Sequence, residues 1–288
     1  MRICSSLNLH YHSKENISEF IKAGLDFHKE NGFDAADFNT GILNLTCDGW
    51  QSHIEKAIID AENVGIKFEL CHLPFFCGGL KENTELVSKI SKKIHNAIDA
   101  AALLGVDYAV LHPGTNTEPI EIFDRDEQYD LVMNHLSPFV EHASKVGLNL
   151  AVENMRITKN GTQGRRFGQS PEEICDIADA LGIGVCWDFG HANISKVKQS
   201  EGLSYVGKRL KVIHVNDNFG EDDEHLAPFM GNIDWRDAMK GLKLAKFDGL
   251  LNYEVSTGKF PGSTRVSYAK YLIDAANELI SYMNENTL

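Results

Sequence analysis

Eight short apolar runs, rich in β-branched residues, recur along the chain: Arg2 to Leu7, Phe33 to Phe38, Ile66 to Cys71, Tyr108 to Leu111, Leu148 to Val152, Ile183 to Trp187, Leu210 to Val215 and Leu250 to Val255. Runs of this length and continuity read as strands buried on both faces. Between them, apolar residues recur every three or four positions. Examples are Val87, Ile90, Ile94, Ala97 and Ala101 before the fourth run, and Leu136, Phe139, Val140 and Ala143 before the fifth. That spacing lines one face of a helix. Ahead of the sixth run, Ser170-Pro171-Glu172-Glu173 marks a helix start, with a capping serine, a proline in the first turn and a glutamate at the third position. Gly32, Gly65, Gly105, Gly147 and Gly182 each precede a strand, where glycine ends a helix in the left-handed conformation. Strand and helix alternating eight times predict an α/β chain folded as a (β/α)8 TIM barrel, with a doubly wound open sheet as the competitor. No linker or low-complexity tract divides residues 1–288, so one domain is expected.

Composition narrows the classes without choosing among them. The 28 basic and 41 acidic side chains leave a formal charge of −13, against a surface that coats nucleic acid; a local basic patch would be the exception. No window approaches the roughly 20 apolar residues of a membrane span, and Met1 to Leu7 does not read as a signal peptide. Cys4, Cys47, Cys71, Cys77, Cys175 and Cys186 contain no Cys-x-x-Cys pair, and several sit in apolar runs. Buried, reduced thiols and a cytoplasmic location are expected.

The polar residues that end the strands carry the chemistry. Strand three ends on His72, strand four on His112, strand five on Glu153-Asn154, strand six on Asp188-Phe189-Gly190-His191, strand seven on His214-Val215-Asn216-Asp217 and strand eight on Glu254. In a barrel these carboxyl ends meet at one mouth. One such residue is ordinarily just a loop neighbour. Six together are costly to bury without a compensating cation, which points to a metal site. Glu153, Asp188, His214 and Glu254 form a carboxylate-rich set with one imidazole, suited to Mn, Mg, Co or Zn. His72, His112, His191, Asp223 and His225 are further candidates for metal or substrate.

The runs His72-Leu73-Pro74, Leu111-His112-Pro113-Gly114, Val152-Glu153-Asn154, Asp188-Phe189-Gly190-His191, His214-Val215-Asn216-Asp217, Asp223 to Asp234 and Tyr253-Glu254 resemble the xylose isomerase-like TIM-barrel superfamily over essentially the whole chain. That superfamily contains sugar and sugar-phosphate isomerases and epimerases, and also endonuclease IV-type apurinic-site endonucleases. The resemblance to the epimerases implies one divalent metal on Glu153, Asp188, His214 and Glu254, with His191 beside the substrate. The resemblance to the endonucleases implies a trinuclear zinc site on those five residues together with His72, His112, Asp223 and His225. Where ketose 3-epimerases carry a second substrate-binding glutamate and a sugar-binding arginine, this chain has Lys159 and Gly220.

The loop after strand five, residues 154–169, holds Arg156, Lys159, Arg165 and Arg166 and no acid. It reads either as a solvated loop or as an anion-binding loop for a sugar phosphate, another acidic substrate or a DNA backbone. Trp50, Phe75, Phe76 and Phe260 could wall a sugar ring or pack the barrel rim. His28, His53, His95, His135 and His142 fall in helical segments and read as surface residues, and Asn160-Gly161-Thr162 matches a glycosylation acceptor without consequence. The expected function is that of a divalent-metal-dependent isomerase or epimerase of a sugar, sugar phosphate or sugar-derived substrate. It would act through a metal-stabilised enediolate, with Glu153 and Glu254 as the acid/base pair; this role assignment follows the family resemblance. The alternative is a multinuclear zinc phosphodiesterase. The expected partner is a small-molecule sugar or sugar phosphate, with nucleic acid the partner only under the alternative; no membrane is expected, and a homo-oligomer is compatible with either.

Overall fold

The computed structural model describes residues 1–9, 16–46, 48–75, 84–114, 117–159, 163–256 and 260–285, and only the backbone of Thr84, Thr158, Lys159 and Gln163. Cys47, Phe76, Cys77 and Asn160-Gly161-Thr162 lie outside the described residues. Eight parallel strands run Ile3–Ser6, Ala35–Asn39, Lys67–His72, Tyr108–Leu111, Leu150–Glu153, Gly184–Asp188, Leu210–His214 and Leu251–Tyr253. Each neighbours the next, and strand one also pairs with strand eight. Between strands seven and eight the seam narrows to one bridge, Val215 to Tyr253, with Val215 N–H donating to Asn252 O at 2.8 Å. The chain is a single (β/α)8 TIM barrel.

The pleat sorts its interior into layers. Cys4, Ala35, Leu70, Val110, Ala151, Cys186 and Val212, one residue from each of strands one to seven, form a single buried apolar cluster. Side chains on a strand share a face at every second residue. The next inward positions are therefore Ser6, Asp37, His72, His112, Glu153, Asp188 and His214, joined by Glu254 two residues after Asn252 of strand eight. The mouth of the barrel thus follows from strand periodicity alone.

Helices pack outside this sheet. The five glycines expected to end helices all have φ between 67° and 85°. Ser170 caps Pro171–Leu181 by accepting from Glu173 N–H at 3.2 Å. The Glu173 carboxylate reaches back to Gly168 N–H (3.0 Å) and Gln169 N–H (3.2 Å), so it anchors the preceding loop. Of the helical histidines expected at the surface, His53, His95, His135 and His142 are half-buried and one departs furthest. His28 is fully buried, because helix Ile17–Glu30 turns Phe20, Ile21, Gly24, Leu25 and His28 inward. Its ring nitrogens lie 2.9 Å from Gly24 O and 3.0 Å from Ser5 O, and burial pushes its pKa down.

Candidate metal centre

Asp188 shows how the local sequence builds the site. It ends strand six and caps the short helix Phe189–Ile194, its Oδ1 accepting from His191 N–H at 2.6 Å. Its Oδ2 accepts from Asn216 Nδ2 at 2.6 Å, and its own N–H donates to Asn154 Oδ1 at 2.6 Å. Gly190 is required here, since a Cβ would lie 2.0 Å from Asn216 Oδ1. Asp217 plays a comparable part for the loop after strand seven. Its carboxylate accepts from Phe229 N–H, Ile233 N–H and Trp235 Nε1 at 3.0, 3.2 and 3.0 Å, pinning the segment that presents Asp223 and His225. His225 sits there at φ 49°, a left-handed backbone that a non-glycine residue keeps only where its surroundings hold it.

The donor atoms of Glu153, Asp188, His214 and Glu254 all lie within 4.8 Å of one another, as do those of His72, His112 and Glu153. Cys186 joins Glu153 and His214 in a further group, and His72 joins His214 and Glu254 in another. Glu153 is 1% exposed. Its Oε2 lies 3.5 Å from His72 Nε2 and 3.3 Å from His112 Nε2, and its Oε1 lies 3.3 Å from Nδ1 of both His191 and His214. His214 Nδ1 is 2.9 Å from Glu254 Oε2. Most of these separations exceed an ordinary hydrogen bond and approach the edge of a tetrahedron with ligands at about 2.1 Å, which is about 3.4 Å. Glu153 Oε2, Glu254 Oε2, His112 Nδ1 and both ring nitrogens of His214 are buried without a hydrogen-bond partner. The orphaned atoms of Glu153, His214 and Glu254 converge with Asp188, an arrangement a divalent ion satisfies, so the donor set fits the metal that the sequence implies.

Outer partners orient the imidazoles. His72 Nδ1 faces Leu73 O at 2.8 Å, His191 Nδ1 faces Asn154 O at 2.8 Å and His225 Nδ1 faces Glu254 O at 2.8 Å. A proton on each Nδ1 leaves Nε2 as the ligand atom. Electrostatics follow the packing. Burial pushes the Asp188 carboxyl up to about 6. Burial also disfavours ionised Glu153 and Glu254, but the nearby histidines outweigh it, His214 foremost, holding Glu153 well below the carboxylate range and Glu254 at about 2. Burial lowers His112, whereas carboxylates around His72 and His191, and Cys186 followed by Glu254 and Glu153 around His214, overcome burial and raise all three.

Above these residues lies a cavity of about 420 Å³ lined by Asn8, Asn39, Phe75, His112, Glu153 and Glu254 among others, with neither lysine nor arginine among its described lining residues. The arginine charges of the basic loop are already engaged, that of Arg156 at the mouth itself, on the lining residue Asp223. Arg156 Nε pairs with Asp223 Oδ2 at 3.0 Å; Arg165 pairs with Glu173 at 2.6 Å and stacks over Phe123; Arg166 is 7% exposed and donates to Thr117 Oγ1 at 2.9 Å. The side chain of Lys159 is outside the described residues. Of the aromatic candidates, Phe75 lies edge-on to His112, Trp50 packs in the core at 6% exposure, and Phe260 lies against Tyr268. Sequence reading missed Asp37, which is 4% exposed, accepts from Asn252 Nδ2 at 2.9 Å and lines an adjoining cavity with Asn8 and Glu254. The available signal was an acid at an inward position of strand two.

Known proteins agree with this architecture. The family described as Xylose isomerase-like TIM barrel matches residues 25–279, and the chain belongs to it. An uncharacterised protein of Methanocaldococcus jannaschii is 28% identical over 247 residues, covering 83% of this chain and 80% of the relative. A probable endonuclease 4 of Thermoplasma acidophilum is 26% identical over 169 residues, 55% of each chain. Among solved structures, a D-tagatose 3-epimerase-like protein superposes with TM-score 0.73 at 22% identity over the whole of both chains. An L-ribulose 3-epimerase does so with TM-score 0.75 at 13% identity, covering 98% of this chain and 95% of that one.

Proposed function

We propose that this chain is a divalent-metal-dependent isomerase or epimerase acting on an uncharged sugar or a similar polyhydroxylated carbonyl compound. One observation carries the reading: three carboxylates and an imidazole converge beneath a cavity of small-molecule size whose described lining holds no lysine or arginine. Such a cavity suits hydroxyl groups better than a phosphate, and the arginines of the basic loop already have protein partners. A divalent ion on Glu153, Asp188, His214 and Glu254 would polarise the substrate carbonyl and favour the enediolate left when a neighbouring carbon loses its proton. Glu153 and Glu254 flank His214 and serve as the pair that removes and returns that proton. Asn216 and Asn154 hold Asp188 rigid, and His191 presents a ring nitrogen toward the substrate. The epimerases among the structural neighbours share the fold and support this choice of chemistry.

A second reading has its own observation. Glu153 belongs both to the four-residue group and to the group with His72 and His112, the arrangement of a carboxylate bridging two ions. A multinuclear phosphodiesterase would use it, and the Thermoplasma relative is named a probable endonuclease. One experiment separates the two: metal-loaded protein incubated in deuterated water with a panel of neutral ketoses and aldoses, and in parallel with duplex DNA containing an abasic site. Carbon-bound deuterium that disappears on chelation is the expected result. Strand cleavage without any exchange would overturn the isomerase reading.

A further inference from the structure

The corner of the mouth formed by His191, Asp223 and His225 contains a cation that the chain itself supplies. His191 Nε2 lies 3.3 Å from Asp223 Oδ2 and His225 Nε2 lies 3.4 Å from Asp223 Oδ1, so three metal-type donors face one another. Asp223 and His225 nevertheless join none of the groups whose donor atoms all fall within 4.8 Å. Against Asp223 stands Arg156, Nε to Oδ2 at 3.0 Å. Its placement is built into the fold. Met155 N–H donates to Gly168 O at 2.8 Å, Gln169 Nε2 donates to Arg156 O at 3.2 Å, and Ile157 N–H donates to Ser195 Oγ at 3.2 Å. The backbone on both sides of the arginine is therefore fixed, and its guanidinium is directed at a carboxylate 67 positions away in sequence.

The guanidinium occupies Asp223 Oδ2 and, by its charge, repels a divalent ion from the neighbouring Oδ1, which is buried without a hydrogen-bond partner beside His225 Nε2. We propose that Arg156 is a positioning residue that takes the place of a metal ion at Asp223. It thereby confines metal to the ligands around Glu153 and keeps the His191–Asp223–His225 corner free for substrate hydroxyls. This rests on the functional reading above, in which the working ion sits on Glu153, Asp188, His214 and Glu254.

The test is metal content by plasma mass spectrometry after equilibrium dialysis against zinc, on the parent, Arg156→Gln, Arg156→Lys and Arg156→Gln/His225→Ala. Arg156→Gln should hold one equivalent more than the parent, the double variant should lose it again, and Arg156→Lys should match the parent while showing that the position tolerates substitution. Cobalt in place of zinc gives a second readout, a new visible absorption band in Arg156→Gln alone. Equal metal content in parent and Arg156→Gln, or loss of an equivalent when His225→Ala is introduced into the parent, would overturn the proposal. The functional reading fails separately, by absence of proton exchange, whatever the metal number.

Discussion

Cys4, Ala35, Leu70, Val110, Ala151, Cys186 and Val212 fill one layer of the barrel, while Ser6, Asp37, His72, His112, Glu153, Asp188 and His214 stand two residues further along the same strands. The layers are separated by about 6–7 Å of strand and share the same pleat. The lower one consists of small and medium apolar groups that need no partner and serve the fold. The upper one buries carboxylates and imidazoles whose desolvation is costly, and several of their atoms lack a hydrogen-bond partner. A barrel selected for stability alone would continue the lower layer upward. The contrast places stability and chemistry on adjacent rungs of one scaffold, so they should respond separately to substitution.

The sharpest way to break that comparison is Glu153→Gln. The amide keeps the shape but cannot bind an ion or accept a proton as the carboxylate does. Turnover in the exchange assay should fall roughly 10²–10⁴-fold while circular dichroism is unchanged; near-parental turnover with metal bound would remove Glu153 from its assigned role. Leu70→Ala, one pleat below His72, should do the reverse. It should cost about 2–5 kcal/mol in denaturant unfolding and leave the turnover of the folded fraction close to the parent. A large loss of turnover there would show that the layers are coupled.

Smaller effects sharpen the picture at its edges. Arg165→Gln removes the arginine from Oε1 of Glu173, whose side chain is 2% exposed, while Oε2 keeps the Gly168 and Gln169 amides, and the arginine is 39% exposed and well screened. Stability should fall by about 1 kcal/mol, with equal effects on the Michaelis constants of a sugar and its phosphate. A selective penalty on the phosphate would revive the anion-binding loop. The remaining prediction concerns pH. Burial disfavours charged His225, but Asp223 and Glu254 outweigh it and raise its pKa to about 10. In chelator-stripped protein its contribution to stability is therefore complete below about 6.5, the unfolded value, and fades as pH rises through 10. Urea midpoints at pH 6.5 and 10 should differ in that direction, and the difference should shrink in His225→Ala.

The strands and the mouth were legible in sequence for one physical reason: a buried parallel strand is a continuous apolar run, so an ionisable residue at its carboxyl end stands out. Asp37 escaped because it lies inside the run Phe33 to Phe38 and was absorbed into it. The basic loop was legible as charge but not as geometry. Nothing in its spacing reveals that Arg165 meets Glu173 across a helix cap or that Arg156 meets Asp223 from the loop after strand seven. His28 was misplaced for a related reason, since which helix face turns inward is decided by packing that one histidine does not announce.

A divalent ion should bind the upper layer and not the lower. Thermal unfolding of chelator-stripped protein with and without added manganese or zinc tests it on the parent, Leu70→Ala and Glu153→Gln. An ion present at 100 times its dissociation constant adds about 2.7 kcal/mol to the folded state, enough to raise Tm by several degrees. The expected result is a similar rise in the parent and in Leu70→Ala and little or none in Glu153→Gln. No rise in the parent, or an undiminished rise in Glu153→Gln, would show that no ion binds there.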